Sequence, residues 1–106
     1  MILKRKYRYV LVLASKELDA ARETNNISAE LMRFMGEVSY SEANPRIVAQ
    51  YTPKLFVFKV NRGHEGKLIL GLSFVKQAGG SKTGLYTVKT SGTIKSLLIY
   101  ANQIKD

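Results

Sequence analysis

Lys67-Leu68-Ile69-Leu70-Gly71-Leu72-Ser73-Phe74-Val75 is the stretch on which the fold turns, and it supports two readings. Leu68, Leu70, Leu72 and Phe74 alternate as in a strand. Leu68, Leu72 and Val75, with Ile69 beside them, form a helical stripe, and periodicity alone does not separate the two in so short an apolar run. If the run is a helix, the chain reads β-α-β-β-α-β followed by one further helix. That is the ferredoxin-like, split βαβ order shared by RRM domains, an α/β chain folded as an α+β sandwich.

Upstream, Leu55 to Val60 and Ile47 to Tyr51 are short β-rich runs, and Thr52-Pro53-Lys54 between them reads as a hairpin connection. Phe56 and Phe58 in the second run read as core, because Leu55 stands where the RRM pattern requires Gly before the first aromatic. Ser28 is a good N-cap, and Leu31, Phe34, Met35 and Val38 then follow at helical spacing. That helix must end by Asn44, since Pro45 disfavours the α conformation in the residue before it. Ser15 to Asn26 is polar and reads as a loop or a short helix, with Asn25-Asn26 as punctuation. The first strand lies within Lys4 to Leu13: Tyr7, Tyr9, Leu11 and Leu13 make a fully apolar face, and Arg8, Val10 and Val12 a partly buried one. Downstream, Gly79-Gly80-Ser81 is a break. Thr83 to Lys89 reads as a strand, with Leu85, Thr87 and Lys89 on one face. Ile94, Leu97, Leu98, Ala101 and Ile104 mark the last helix.

The 106 residues are one domain's worth, with no repeat, low-complexity tract or linker dividing 1–106. The absence of cysteine excludes disulfides and thiolate metal sites and suits a reducing, cytoplasmic setting. No apolar run approaches the roughly 20 residues of a membrane span. Seventeen Lys and Arg against eight Asp and Glu give +9 and a pI near 9.9. Such an excess adds nothing to a fold but attracts polyanions, of which nucleic acid is the commonest.

Groups for catalysis are scarce. His64 is the one histidine, the carboxylates are scattered, and no second His completes a triad. Gly79-Gly80-Ser81-Lys82-Thr83 fails as a phosphate loop, because Ser81 rather than Gly precedes Lys82; a basic turn is the better account. Ser91, Gly92 and Thr93 open the last helix between Lys89 and Lys95. There the free amides could hold an RNA phosphate, or Ser91 could simply cap the helix. At the other end of the chain, Lys4, Arg5, Lys6 and Arg8 interleave with Tyr7 and Tyr9. This reads either as an RNA-facing edge or as a solvated strand end with buried tyrosines. The candidate RNA-binding residues are therefore Lys4, Arg5, Lys6, Arg8, Lys82, Lys89, Ser91, Gly92, Thr93 and Lys95, with no catalytic residue and no metal ligand.

Thr90-Ser91-Gly92-Thr93-Ile94-Lys95-Ser96-Leu97 resembles a Ser-Gly-Thr-Ile-Lys or Arg signature in protein component 2 of archaeal ribonuclease P and its eukaryotic counterpart. Lys6-Tyr7-Arg8-Tyr9-Val10 is similar to that family's first strand, and Phe34-Met35-Gly36-Glu37 to the end of its first helix. Asn61-Arg62-Gly63-His64 sits where the family passes from a strand to the next helix. The resemblance implies that Lys67 to Val75 is helical, within an RRM-like sandwich. It also implies that the protein binds and stabilises the catalytic RNA for removal of the 5′ leader from precursor tRNA; the residues alone leave open another ferredoxin-like RNA-binding protein, of ribosomal or RRM type, or a regulatory domain holding a small ligand at Gly79 to Thr83. Cleavage would fall to Mg2+ at the RNA active site, with no cofactor bound by the protein. The implied partners are that RNA, precursor tRNA through the holoenzyme, and protein component 3; a homodimer is a further candidate. The family's cysteine near the end of the third strand is replaced here, in the region of Val60 and Asn61, and Ser15 to Asn26 fits the family poorly.

Overall fold

The structure, a computed structural model, describes residues 7–17, 19–75, 77–78, 81–82 and 84–104. In chain order the elements are β1 (Tyr7–Ala14), α1 (Ala20–Met35), α2 (Glu37–Ala43), β2 (Arg46–Thr52), β3 (Leu55–Asn61) and α3 (Glu65–Ser73). A two-residue pair follows, β4 (Gln77–Ala78) with β5 (Ser81–Lys82), then β6 (Leu85–Ser91) and α4 (Ile94–Ile104). The main sheet runs β2-β3-β1-β6, with every neighbouring pair antiparallel. This is the ferredoxin-like arrangement, extended by α4.

The decisive run is helix α3. Leu68 and Leu72 are fully buried and Val75 nearly so, whereas Leu70 and Phe74 of the strand-like alternation are more than half exposed. The helical stripe wins because it packs on the sheet and on α1; the side chains it leaves out face solvent.

Both faces of the sheet are covered. Val10, Val12, Phe56, Phe58 and Val60 meet Ile27 and Leu31 of α1 and Leu68 and Leu72 of α3. On the other face Leu11, Leu55 and Val57 meet Leu97 and Ala101 of α4. The two phenylalanines are thus core, as the missing Gly indicated. The two faces of β1 come out reversed in burial. Val10 and Val12 are fully enclosed under two helices, while Tyr7 and Leu13 on the apolar-looking face are each 40% exposed. One helix covers only the middle of its face.

Two boundaries differ from the sequence reading. α1 starts at Ala20, so Ser28 lies inside it and caps nothing, and Asn25-Asn26 is not a break. The Asp19 carbonyl accepts the Glu23 amide at 2.9 Å at the helix start. Buried Glu23 then takes a 3.0 Å hydrogen bond from the Asn26 side chain. The expected single helix to Asn44 is two, because Gly36 at φ 84°, ψ 158° breaks it after Met35. Val38, expected on the buried stripe, is exposed beyond the break, and Phe34, expected there too, is exposed within α1 and stacks on Phe74 at 4.3 Å. In the hairpin, Thr52 pairs with Leu55 around Pro53-Lys54. In β6 a bulge between the Leu11–Lys89 and Val12–Thr87 pairs makes Val88 the extra residue. Lys89 therefore sits on the α4 face, not with Leu85 and Thr87 as simple alternation suggested.

Candidate nucleic-acid interface

Carboxylates are unevenly distributed over the elements. β1, β2, β3, β6 and α4 carry Arg8, Arg46, Lys59, Lys89 and Lys95 and no Asp or Glu. The carboxylates gather elsewhere: Glu23 and Glu30 on α1, Glu37 and Glu42 on α2, Glu65 on α3, and Glu17 and Asp19 before α1.

The sheet register sets the basic side chains. Ser91, Tyr9, Lys59 and Arg46 are partners in one row across all four strands, and Tyr7 lies opposite Asn61 one step further out. Residues paired across antiparallel strands share a face, and Tyr9 packs with Leu11 and the α4 residues. The row therefore lies on the α4 side. The Lys59 ammonium sits 3.9 Å from the centroid of the Tyr7 ring, and Lys89 stands 4.7 Å over Tyr100 of α4.

Of the N-terminal basic cluster only Arg8 is among the described residues. Lys4, Arg5 and Lys6 lie outside the described residues, as does the Lys82 side chain. Arg8, on the face opposite Tyr7, reaches Glu65 at 3.6 Å. Its guanidinium also lies over Gly92, where an added Cβ would come within 3.1 Å of it. Arg8, Ser91, Gly92, Thr93 and Lys95 thus gather at the start of α4. There the cap is Thr93, not Ser91. Thr93 Oγ1 accepts the Ser96 amide at 3.2 Å, and Ser91 Oγ accepts the Thr93 amide at the same distance. The cap occupies the Thr93 hydroxyl and the turn before it the Ser91 hydroxyl, and the exposed Lys95 and Lys89 carry the charge available to an anion.

His64 occupies the position before α3 and makes no side-chain capping bond. An open depression of about 530 Å³ lies at the opposite end of the sheet, lined by Glu17, Asp19, Gln50, Tyr51, Thr52 and Pro53. Its carboxylates repel a polyanion. Among the described residues no group of three or more His, Asp or Glu converges as metal ligands would, and no helix is long and apolar enough to cross a membrane.

Arg46 and Lys59 were missed as site residues. They could be found from sequence by noting that none of the strand-forming runs contains a carboxylate, and that the hairpin brings its two outer ends together.

Fold and charge define the class: a ferredoxin-like α+β domain, extended by a C-terminal helix, with one strongly basic face. The model of the Rpp14/Pop5 family matches residues 8–102, and the chain belongs to that family of ribonuclease P and MRP protein subunits. Its structure is similar to a chain in the cryo-EM structure of yeast ribonuclease MRP. The TM-score is 0.69 over 97% of this chain and 96% of that one, at 12% identity, a likeness of fold. No curated protein matches the chain in sequence.

Proposed function

We propose that the chain is the component 2 type of subunit, binding and stabilising the catalytic RNA of ribonuclease P while that RNA removes the 5′ leader from precursor tRNA. The observation that carries this reading is the carboxylate-free basic side of the sheet and α4. Lys and Arg there neutralise phosphates, release counterions and let RNA helices approach closely enough to hold metal sites. Mg2+ belongs to the RNA, and bond cleavage with it. Protein component 3 is the proposed protein partner, with a second copy of this chain as a further candidate. Precursor tRNA is met through the holoenzyme, and the setting is the cytoplasm of an archaeal cell.

Replacing Lys89 and Lys95 together by Ala tests this. With two fewer phosphates neutralised, RNA affinity falls and the logarithmic salt slope shrinks by about 1.4–1.8. Reconstituted enzyme carrying the variant then needs more Mg2+ for half-maximal cleavage. Magnesium dependence identical to wild type would overturn the reading.

A further inference from the structure

We propose that the open end of the sheet bearing Tyr7, Tyr9, Lys59 and Arg46 docks an unpaired stretch of RNA, with one base stacked on Tyr7. The inference rests on the RNA-binding reading above and names the kind of RNA and the surface that takes it.

The sheet emerges here from beneath α4. Leu11 is fully buried, Tyr9 is partly covered, and Tyr7 is 40% exposed. Three successive positions on one face of β1 thus pass from core to open surface. An exposed tyrosine beside a polar neighbour is unremarkable alone, but this ring is held. The ammonium of half-buried Lys59 lies over one face of the ring, 3.9 Å from its centroid, holding it against β3 and leaving the other face as the one a base can meet. Arg46, exposed on the edge strand, is the register partner of Lys59. Adjacent strands are about 4.8 Å apart, so the two cations and the ring form one continuous aromatic-and-basic strip. No carboxylate stands on any of the four strands to oppose a phosphate.

Cations alone do not tell a duplex from a single strand. A ring does. Bases in an A-form helix are already stacked on one another, and a protein meets the duplex through phosphates, 2′-hydroxyls and a shallow groove. A tyrosine at the end of a sheet strand gains a stacking partner only from a base that has left its helix. In an ordinary RRM the stacking aromatics sit on the central strands. Here the Phe56 and Phe58 rings of β3 point into the α1–α3 core, and the sheet offers its ring at the end that α4 leaves bare.

The test uses the full chain with two labelled probes at equal salt: an oligouridylate of about 12 nucleotides and an RNA duplex of the same length. Tyr7→Ala weakens oligouridylate binding roughly five- to a hundredfold and leaves duplex binding within about twofold. Tyr7→Phe keeps wild-type affinity, because stacking needs the ring and not the hydroxyl. Lys59→Gln lowers the single-strand salt slope by about 0.7. Circular dichroism and melting confirm that each variant is folded. An unchanged oligouridylate affinity in Tyr7→Ala, or an equal loss on both probes, overturns the inference and leaves the RNA-binding reading standing. Failure of the wild-type chain to bind either probe or the ribonuclease P RNA overturns that reading itself.

Discussion

Tyr51 ends in a buried hydroxyl with no hydrogen-bond partner among the described residues. Its ring packs on β2 against the cluster formed by Leu11, Leu97 and Ala101. Burial pushes the phenol above its ordinary value of 10.0, because the phenolate would lose its hydration. The neutral form is the one the fold accepts. Its contribution to stability is complete below the unfolded value and is lost as pH rises through the higher folded one. Tyr51→Phe removes both the unsatisfied group and the ionisation. At neutral pH the variant should match wild type or gain up to about 1 kcal/mol, and above about pH 10 it should lose less stability than wild type. Denaturant unfolding at the two pH values checks this. A clear loss at neutral pH would show that the hydroxyl has a partner.

At the scale of elements, Gly36 is what makes two helices of one. Its φ of 84° with ψ of 158° falls in a region open essentially to glycine, and nothing crowds the place where a Cβ would stand. The cost of Gly36→Ala is therefore backbone strain alone, about 1–3 kcal/mol, read as a lower midpoint in thermal or denaturant unfolding. A neutral result would mean that α1 simply continues into α2. The same region shows where sequence reasoning reaches its limit. The hairpin, the last helix and the strands were legible, because turn residues and alternation act over a few positions. The start of α1 was not. Its inward stripe runs Glu23, Ile27, Leu31, opening with a buried carboxylate, and Thr24, Asn25 and Asn26 are poor helix formers. Packing of Ile27 and Leu31 on the sheet outweighs that local preference. For α3 the limit was different. Nine residues fit both periods, and what decides between them is which side chains find a sheet to cover.

Charge is unevenly spread over the whole molecule: α1 and α3 balance their carboxylates with Arg22, Arg33 and Lys67, α2 is acidic, and Arg46, Lys59, Lys89 and Lys95 on the α4 side stand without an Asp or Glu on their elements. Half of the candidate site was legible in sequence, namely Lys89, Lys95 and the turn before α4. The other half was not, because Arg46 and Lys59 stand apart in the chain and only the register of β2 on β3 joins them. Charges on α1 and on the Arg46–Lys59 strip are held on opposite faces of the sheet, and with a screening length of roughly 8 Å at physiological ionic strength they act as separate electrostatic surfaces. Two charge-reversal pairs that change net charge equally should then behave unequally. Arg46→Glu with Lys59→Glu places carboxylates on the proposed contact strip. Arg22→Glu with Arg33→Glu places them on exposed positions of α1. At about 0.15 M salt the first pair should lose at least about tenfold in affinity for ribonuclease P RNA, and the second should stay within about twofold of wild type. At about 0.01 M, where screening extends to roughly 30 Å, both should weaken binding. Equal losses at the higher salt would mean that net charge alone, and no particular face, draws this protein to RNA.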